Sequence, residues 1–442
     1  MKRYDQEKIA KDGFLISRYN HTEVAECWKP ETKFHFFLEV ELALLDELSQ
    51  IKKDIPRNIT NLIRKKVKIN IDRIDEIEKV VQHDVIAFCQ SITEQLPPDL
   101  GRWFHYGITS SDIIDSALSL QIKKSLEIIL GEFDQFFNSF KELIKKSEDT
   151  LTMGRTHGMQ AEPMLLASKW LSYYSEFKRR YDDYKKNLQE ELTIQLSGAV
   201  GNYSLLSPAI EEKVAAHFKL KTEVVSTQII PRDHLAKIIQ TGSLFSVAVE
   251  RFVTEIRHLQ RSEVLEAAEG FKIGQKGSST MPHKKNPITS ENLTGLSRVI
   301  RSHAQIALEN CVTWHERDIS HSSTERLYLP DHFILIGTCL KRLNNLVSEL
   351  VLFKDTMKQR VRSHQFALSS FYLHQLLHLT THSREEIYEV VQKASFSFSP
   401  VDFKNELETH FKVTLPNIDY NFLFSIYQKN YQSQLARLGG LK

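Results

Sequence analysis

Side chains able to do chemistry concentrate in one stretch, Gly274 to Glu291, which reads Gly-Gln-Lys-Gly-Ser-Ser-Thr-Met-Pro-His-Lys-Lys-Asn-Pro-Ile-Thr-Ser-Glu. It carries two hydroxyls (Ser278, Ser279), an imidazole (His283), two ammonium groups (Lys284, Lys285), an amide (Asn286) and a carboxylate (Glu291). Gly274 and Gly277 permit backbone angles that other residues resist, while Pro282 and Pro287 each remove an N–H donor. No helix or strand is therefore expected to cross it. A Gly-flanked, donor-rich segment suits a lid that closes on an anion and excludes water. The plainer reading of the same composition is a solvated connector.

Other polar stretches are Thr109-Ser110-Ser111-Asp112, Met153 to Gly158, Ser197 to Asn202 and Trp314 to Arg326. They are distant in sequence, so elements long enough to bring their ends together must lie between them. The apolar spacing supplies such elements. Phe37, Val40, Leu44 and Leu48 mark one amphipathic helix, and Ile74, Ile77, Val81, Val85 and Phe88 mark a second over 72–96. That helix would carry His83-Asp84 as a hydrogen-bonded pair near its surface. Thr109 to Asp112 caps a helix of nearly forty residues striped by Ile113, Ala117, Leu120, Leu126, Ile129, Phe133, Phe136, Phe140 and Ile144, which would reach about 55 Å. Two more long helices are expected over 164–196 and 233–268, and another from near Ser290. The polar stretch 312–330 should close at Pro330, with helices again to the C-terminus.

No period-two strand pattern, internal repeat or low-complexity tract stands out. The expected fold is all-α, in three helical domains: 1–108 with a polar N-terminal extension, 109–364 as a central bundle of very long helices, and 365–442. Central helices that outrun the subunit's own diameter bury their stripes best against copies of themselves, so a symmetric homo-oligomer is expected.

Composition narrows the function. The 442 residues, 41% hydrophobic and 26% charged with a formal charge of +2, give no nucleic-acid surface and allow about three domains of roughly 150 residues each. Cys27, Cys89, Cys311 and Cys339 are scattered without metal-ligand spacing, which fits reduced thiols in the cytoplasm. No run of about 18 apolar residues suggests a membrane span. His374, His378 and His382 are four apart and would stack on one continuous helix. No His-Glu-x-x-His pattern accompanies them, so a solvated or interface stripe is the expectation there and no metal site is assigned.

The motifs resemble one family. Gly277 to Pro287 is similar to the signature of the fumarase/aspartase superfamily of lyases. Its His-Lys form, with Trp314-His-Glu-Arg-Asp-Ile-Ser-His-Ser-Ser323, resembles the adenylosuccinate lyases within it. Arg18-Tyr19 followed by Trp28, His83-Asp84-Val85, His105-Tyr106-Gly107, Thr109 to Asp112 and Met153 to Pro163 follow in the family's order, so the resemblance covers most of 17–330. Arg3-Tyr4 is a decoy, because only Tyr19 has Trp28 at the family's interval.

The resemblance implies a cofactor-free β-elimination that splits a C–N bond of a succinyl-amine and releases fumarate. The substrates it implies are adenylosuccinate and the corresponding succinylcarboxamide imidazole ribotide. It implies that Ser278 is the base, assisted by Lys284, Asn286 and the loop amides, that His157 is the acid, and that Glu291 is catalytic. It further places Arg18, Tyr19, His83, Asp84, Thr109, Ser110, Gln228, Ser279, Asn286, Arg317, Ser322 and Arg326 around an anionic substrate in a homotetramer whose sites combine loops of several subunits.

Plainer readings stand beside these. His157 could cap a helix end, and Arg317 and Arg326 could pair with Glu316 or Glu325. The alternatives to the whole assignment are a carboxymuconate cycloisomerase, an argininosuccinate lyase or a catalytically retired structural homologue. Two departures from the family pattern are Gln82, where Arg is frequent, and Gln160, where a second His is frequent.

Overall fold

The computed structural model describes residues 16–271, 274–396 and 403–441. The first 15 residues, with Arg3-Tyr4, lie outside the described residues. The fold is all-α with little strand. Its N-terminal part includes α1 (Pro30–Ile51), α2 (Ile71–Val81) and α3 (Asp84–Thr93). Pro30 opens α1 at a position where its missing N–H has no intrahelical partner to lose.

The single helix expected over 72–96 is in fact two. Gln82 adopts a left-handed φ of 53°, and His83 is extended at φ −154°. The His83 ring then caps α3, its Nδ1 accepting from the Ile86 N–H at 3.4 Å. His83 is thus the joint between two helices, not a residue on one helix surface.

Five long helices follow: α4 (Ser110–Lys146), α5 (Leu166–Glu190), α6 (Asp233–Gln260), α7 (Ile288–Glu309) and α8 (Ser320–Ser348). α4 has 37 residues, and at about 1.5 Å of rise per residue it spans about 55 Å. α5 and α6 stop earlier than expected, at Glu190 and Gln260, where irregular chain and very short strands take over. The stretch 312–330 is helical from Ser320 onward, and α8 continues through Pro330. The carbonyl deprived of a donor there belongs to Arg326, an exposed residue where water can substitute.

One element was not anticipated. β1 (Leu151–Thr156) and β2 (Met159–Leu165) form an antiparallel hairpin between α4 and α5. His157 and Gly158 make its turn with φ of 54° and 80°, the doubly left-handed geometry that matches strand twist. The register shifts at Gly154, where an added Cβ would come within 2.9 Å of the Glu162 carbonyl oxygen. A second strand pair joins β3 (Ala267–Ala268) to β4 (Val351–Leu352). The C-terminal helices include α9 (Lys354–Ser363), α10 (Ser369–Leu379) and α11 (Tyr420–Arg437). Because α10 ends at Leu379, His382 lies beyond it, 3.5 Å from Glu386, and the three-histidine stripe is not one helical face.

The chain forms two compact units whose segments alternate along the sequence. The first takes residues up to Asp134, Arg179–Glu250 and Leu293–Arg342; the second takes Gln135–Lys178, Arg251–Asn292 and Leu343 onward. In the first, Phe34, Phe37, Leu44, Phe88, Ile113 and Ala117 lie in one buried cluster. In the second, Phe136 and Phe177 meet edge to face with centroids 4.9 Å apart, and Phe252 packs on Phe140 and Trp170.

Within the first unit, His303 of α7 and His332 of α8 face each other with Nδ1 atoms 3.3 Å apart. Gly242 of α6 leaves room for the His332 ring, since a Cβ there would overlap it. Burial holds both rings below the ordinary value of 6.5, His303 at about 4. The folded state therefore favours the neutral forms, and the contribution of His303 is complete above pH 6.5 and lost as pH falls through about 4. The thermal midpoint should drop across that interval, and His303→Leu should flatten the drop. Parallel circular-dichroism melting curves for wild type and variant would place the acid sensitivity elsewhere.

Candidate functional site

The signature loop is organised around Ser278. Its Oγ accepts hydrogen bonds from the backbone N–H groups of Met281 at 3.0 Å and Thr280 at 3.3 Å. Two donors aimed at one hydroxyl oxygen are an arrangement that stabilises negative charge on that oxygen. Asn286 holds the residue just before Ser278. It closes the loop by donating from Nδ2 to the Gly277 carbonyl at 2.9 Å. Gly277 is obligatory at this closure, because a Cβ would overlap the Lys284 carbonyl oxygen. Lys284 itself is exposed, while Lys285 lies over the Phe271 ring at 5.3 Å.

Two residues before the loop clamp its ends. Gln260, the last residue of α6, donates to the Lys285 carbonyl and accepts from the Glu269 N–H, each at 3.0 Å. The Glu269 carboxylate receives the N–H groups of Thr289 and Ser290 at 3.0 and 2.6 Å, which caps α7 and fixes the turn that bears Glu291.

His157 stands exposed at the hairpin tip, so it is a turn residue and not a helix cap. The hairpin's base is held by Glu266, which is fully buried. Arg155 grips this carboxylate with two bonds of 2.9 and 2.6 Å, Thr152 donates at 3.1 Å and Arg360 of α9 at 2.6 Å. Burial pushes Glu266 up, but the two guanidinium groups outweigh it and hold the carboxyl below its usual range. From α11, Tyr420 accepts the Leu151 N–H at 2.9 Å and Tyr431 donates to Glu148 at 2.8 Å. Ser278, Ser279, Lys284, Asn286, Glu291 and His157 all belong to the second unit.

The remaining residues placed around the substrate by the sequence resemblance belong to the first unit. Asp84, 8% exposed, takes Lys33 at 3.1 Å and Arg326 at 3.0 Å on the same oxygen. Burial raises its pKa, yet the two cations bring the net shift below the usual carboxylate value. His83 Nε2 lies 3.4 Å from the Ser110 hydroxyl. A cavity of about 150 Å³ opens here, lined by Trp28, Lys33, Asp84, Gln121, Ser322 and Arg326 among others.

A second cluster centres on Asp112, whose carboxylate closes a capping box on the Thr109 N–H at 2.8 Å and also receives the Gly198 N–H. Burial pushes Asp112 up to about 6. Gln195 joins Asp112 to the Gln228 carbonyl, and the Gln228 amide oxygen accepts from Arg317 at 3.1 Å. The partner of Arg317 is therefore Gln228 and that of Arg326 is Asp84. Glu325 is taken instead by buried Arg232, which also clasps Asp115. Arg18 and Tyr19 form a turn strapped to α8, where Arg342 donates to the Arg18 carbonyl at 2.7 Å and Thr338 to that of Tyr19 at 2.8 Å.

Glu41, Cys89 and His105 also approach one another. Glu41 is already satisfied by the His105 ring at 2.8 Å and its N–H at 3.0 Å, and burial pushes the Cys89 thiol well up, so an ion pair accounts for the cluster. Sequence reasoning missed Lys33, Gln195, Gln260, Glu266 and Glu269. None lies in a dense motif, and each matters only through a partner distant in sequence or beyond a turn.

Residues 31–302 match a family described as lyase, and the chain belongs to that family, within the fumarase/aspartase superfamily. A protein of Aquifex aeolicus (strain VF5) named adenylosuccinate lyase is 41% identical over 384 residues, covering 86% of this chain and 87% of its own. The fold is shared with a fumarate lyase from Mesorhizobium sp. BNC1, with a TM-score of 0.80 at 19% identity, covering 97% of this chain and 100% of that one. It is shared also with a 3-carboxy-cis,cis-muconate lactonizing enzyme from Pseudomonas putida, with a TM-score of 0.82 at 18% identity, covering 96% and 99%.

The Gly277 closure gives a test. Gly277→Ala should displace the segment carrying Ser278 and lower lyase turnover by about 100-fold, the effect of an ångström-scale misplacement, with the melting temperature unchanged. Wild-type turnover in this variant would show that the closure does not set the geometry.

Proposed function

We propose that the protein eliminates fumarate from adenylosuccinate, giving AMP, and from the succinylcarboxamide imidazole ribotide of purine synthesis. The observation that carries the reading is the 41% identity, over 86% of the chain, to a protein named adenylosuccinate lyase. The two N–H groups on Ser278 Oγ support it chemically.

In this reading Ser278, as alkoxide, removes the proton from the succinyl Cβ. The C–H electron pair becomes the new C=C bond of fumarate, the C–N bond breaks, and His157 delivers a proton to the departing nitrogen. Each pKa unit taken off the serine requires about 1.4 kcal/mol of preferential stabilisation of its anion, which the Thr280 and Met281 amides help to supply, with Lys284 of the same loop as a further charge. Negative charge gathering on the succinyl carboxylate calls for further donors, and Ser279 and Lys284 on the loop are suited to that. Arg18, Tyr19, His83, Asp84, Thr109, Ser110, Gln228, Arg317, Ser322 and Arg326 bind the anionic remainder of the substrate.

The active form is a cytoplasmic homotetramer that combines loops of several subunits in each site. Supporting this, Leu244 and Val247 of α6, Val299 and Leu308 of α7 and Leu327 of α8 are exposed apolar residues on the long helices. Ser278→Ala and His157→Ala proteins should stay folded and lose about 10²-fold or more of their fumarate release, the scale of removing a positioned base or acid. Full activity in either removes that residue from the mechanism. Wild-type turnover of argininosuccinate in place of both purine substrates would overturn the substrate assignment.

A further inference from the structure

We propose that Lys33 is a positioning residue for this site: its ammonium holds Asp84 so that Arg326 can turn its guanidinium to the substrate's phosphate. The inference rests on the function proposed above and concerns the cavity that both cations line.

Both reach the same Asp84 oxygen, Lys33 at 3.1 Å and Arg326 at 3.0 Å. They differ in how firmly they are held. The Lys33 side chain is 30% exposed and its ammonium lies over the rings of Phe34 and Phe37 at 5.1 and 5.2 Å. Arg326 is 60% exposed along its side chain and has the planar fork that suits phosphate oxygens. Ser322 lines the same cavity.

A buried carboxylate cannot give up its only counter-ion cheaply. With Lys33 in place it need not, because Asp84 stays paired while Arg326 is recruited. Two cations against one carboxylate leave one positive charge for the ligand. The contributions to the Asp84 pKa agree, since after burial, which raises it, Lys33 lowers it more than Arg326 does. Without Lys33, Arg326 would be bound to Asp84 alone, and substrate would have to compete for it.

Steady-state kinetics with adenylosuccinate tests this. Lys33→Met should raise KM about tenfold, equivalent to about 1.4 kcal/mol, with kcat little changed, because Asp84 would bind Arg326 equally against substrate and transition state. Lys33→Arg should restore KM to near the wild-type value, and Lys33→Gln serves if the Met protein does not fold. A KM that stays at the wild-type value in the Met or Gln protein, or rises as much in the Arg protein, overturns the proposal. Wild-type protein releasing no fumarate overturns the assigned function and this inference with it; wild-type turnover with an unmoved KM overturns this inference alone.

Discussion

A single buried carboxylate ties together the elements of the second unit that carry His157 and Ser278. Glu266 has no exposed surface, and three side chains from two other segments converge on it: Thr152 and Arg155 from the hairpin and Arg360 from α9. Immediately after it the chain pairs as β3, supplies Glu269 to cap α7, and enters the loop of Ser278. The elements that present His157 and Ser278 are thus tied to positions three residues apart. Breaking such a buried pair by removing one partner costs about 3–5 kcal/mol, because the remaining charges keep their desolvation without compensation.

The first unit uses the same device with opposite emphasis. Its buried carboxylates each serve several donors, Asp112 the Thr109 and Gly198 amides, Asp115 the Arg232 guanidinium and Asp84 two cations. These buried acids orient bases and backbone donors within a chain whose net charge is +2. Arg317 is held by the Gln228 amide oxygen and not by a carboxylate.

The long helices were legible because a stripe recurring at three and four residues over nearly forty positions has no other common cause. The hairpin was not. Its strands are six and seven residues long, Gly154 and Pro163 interrupt their alternation, and the His157-Gly158 turn reads as one more polar loop. The break at Gln82 was hidden by an apolar spacing that continues on both sides of a left-handed residue. Pro330 misled in the other direction, because its effect on a helix depends on whether water can reach the carbonyl four residues back.

Among candidate site residues, those in dense motifs stand out in the sequence, since hydroxyls, imidazoles and guanidinium groups in short runs are conspicuous. Lys33, Gln260 and Glu266 were not, because an isolated Lys, Gln or Glu on an amphipathic helix or short strand is indistinguishable from a solvated one until its partner is placed. The partner of Lys33 is 51 residues on and that of Glu266 is 111 residues back.

The central claim is that Ser278 and His157 act on the same substrate within sites shared among subunits. Ser278→Ala and His157→Ala proteins, each inactive alone, can be unfolded together, refolded as mixed oligomers and assayed for fumarate release. Recovery of activity in the mixture is the predicted result, because some sites would then draw an intact serine from one subunit and an intact histidine from another. Mixed oligomers that form but remain as inactive as their parents would contradict it.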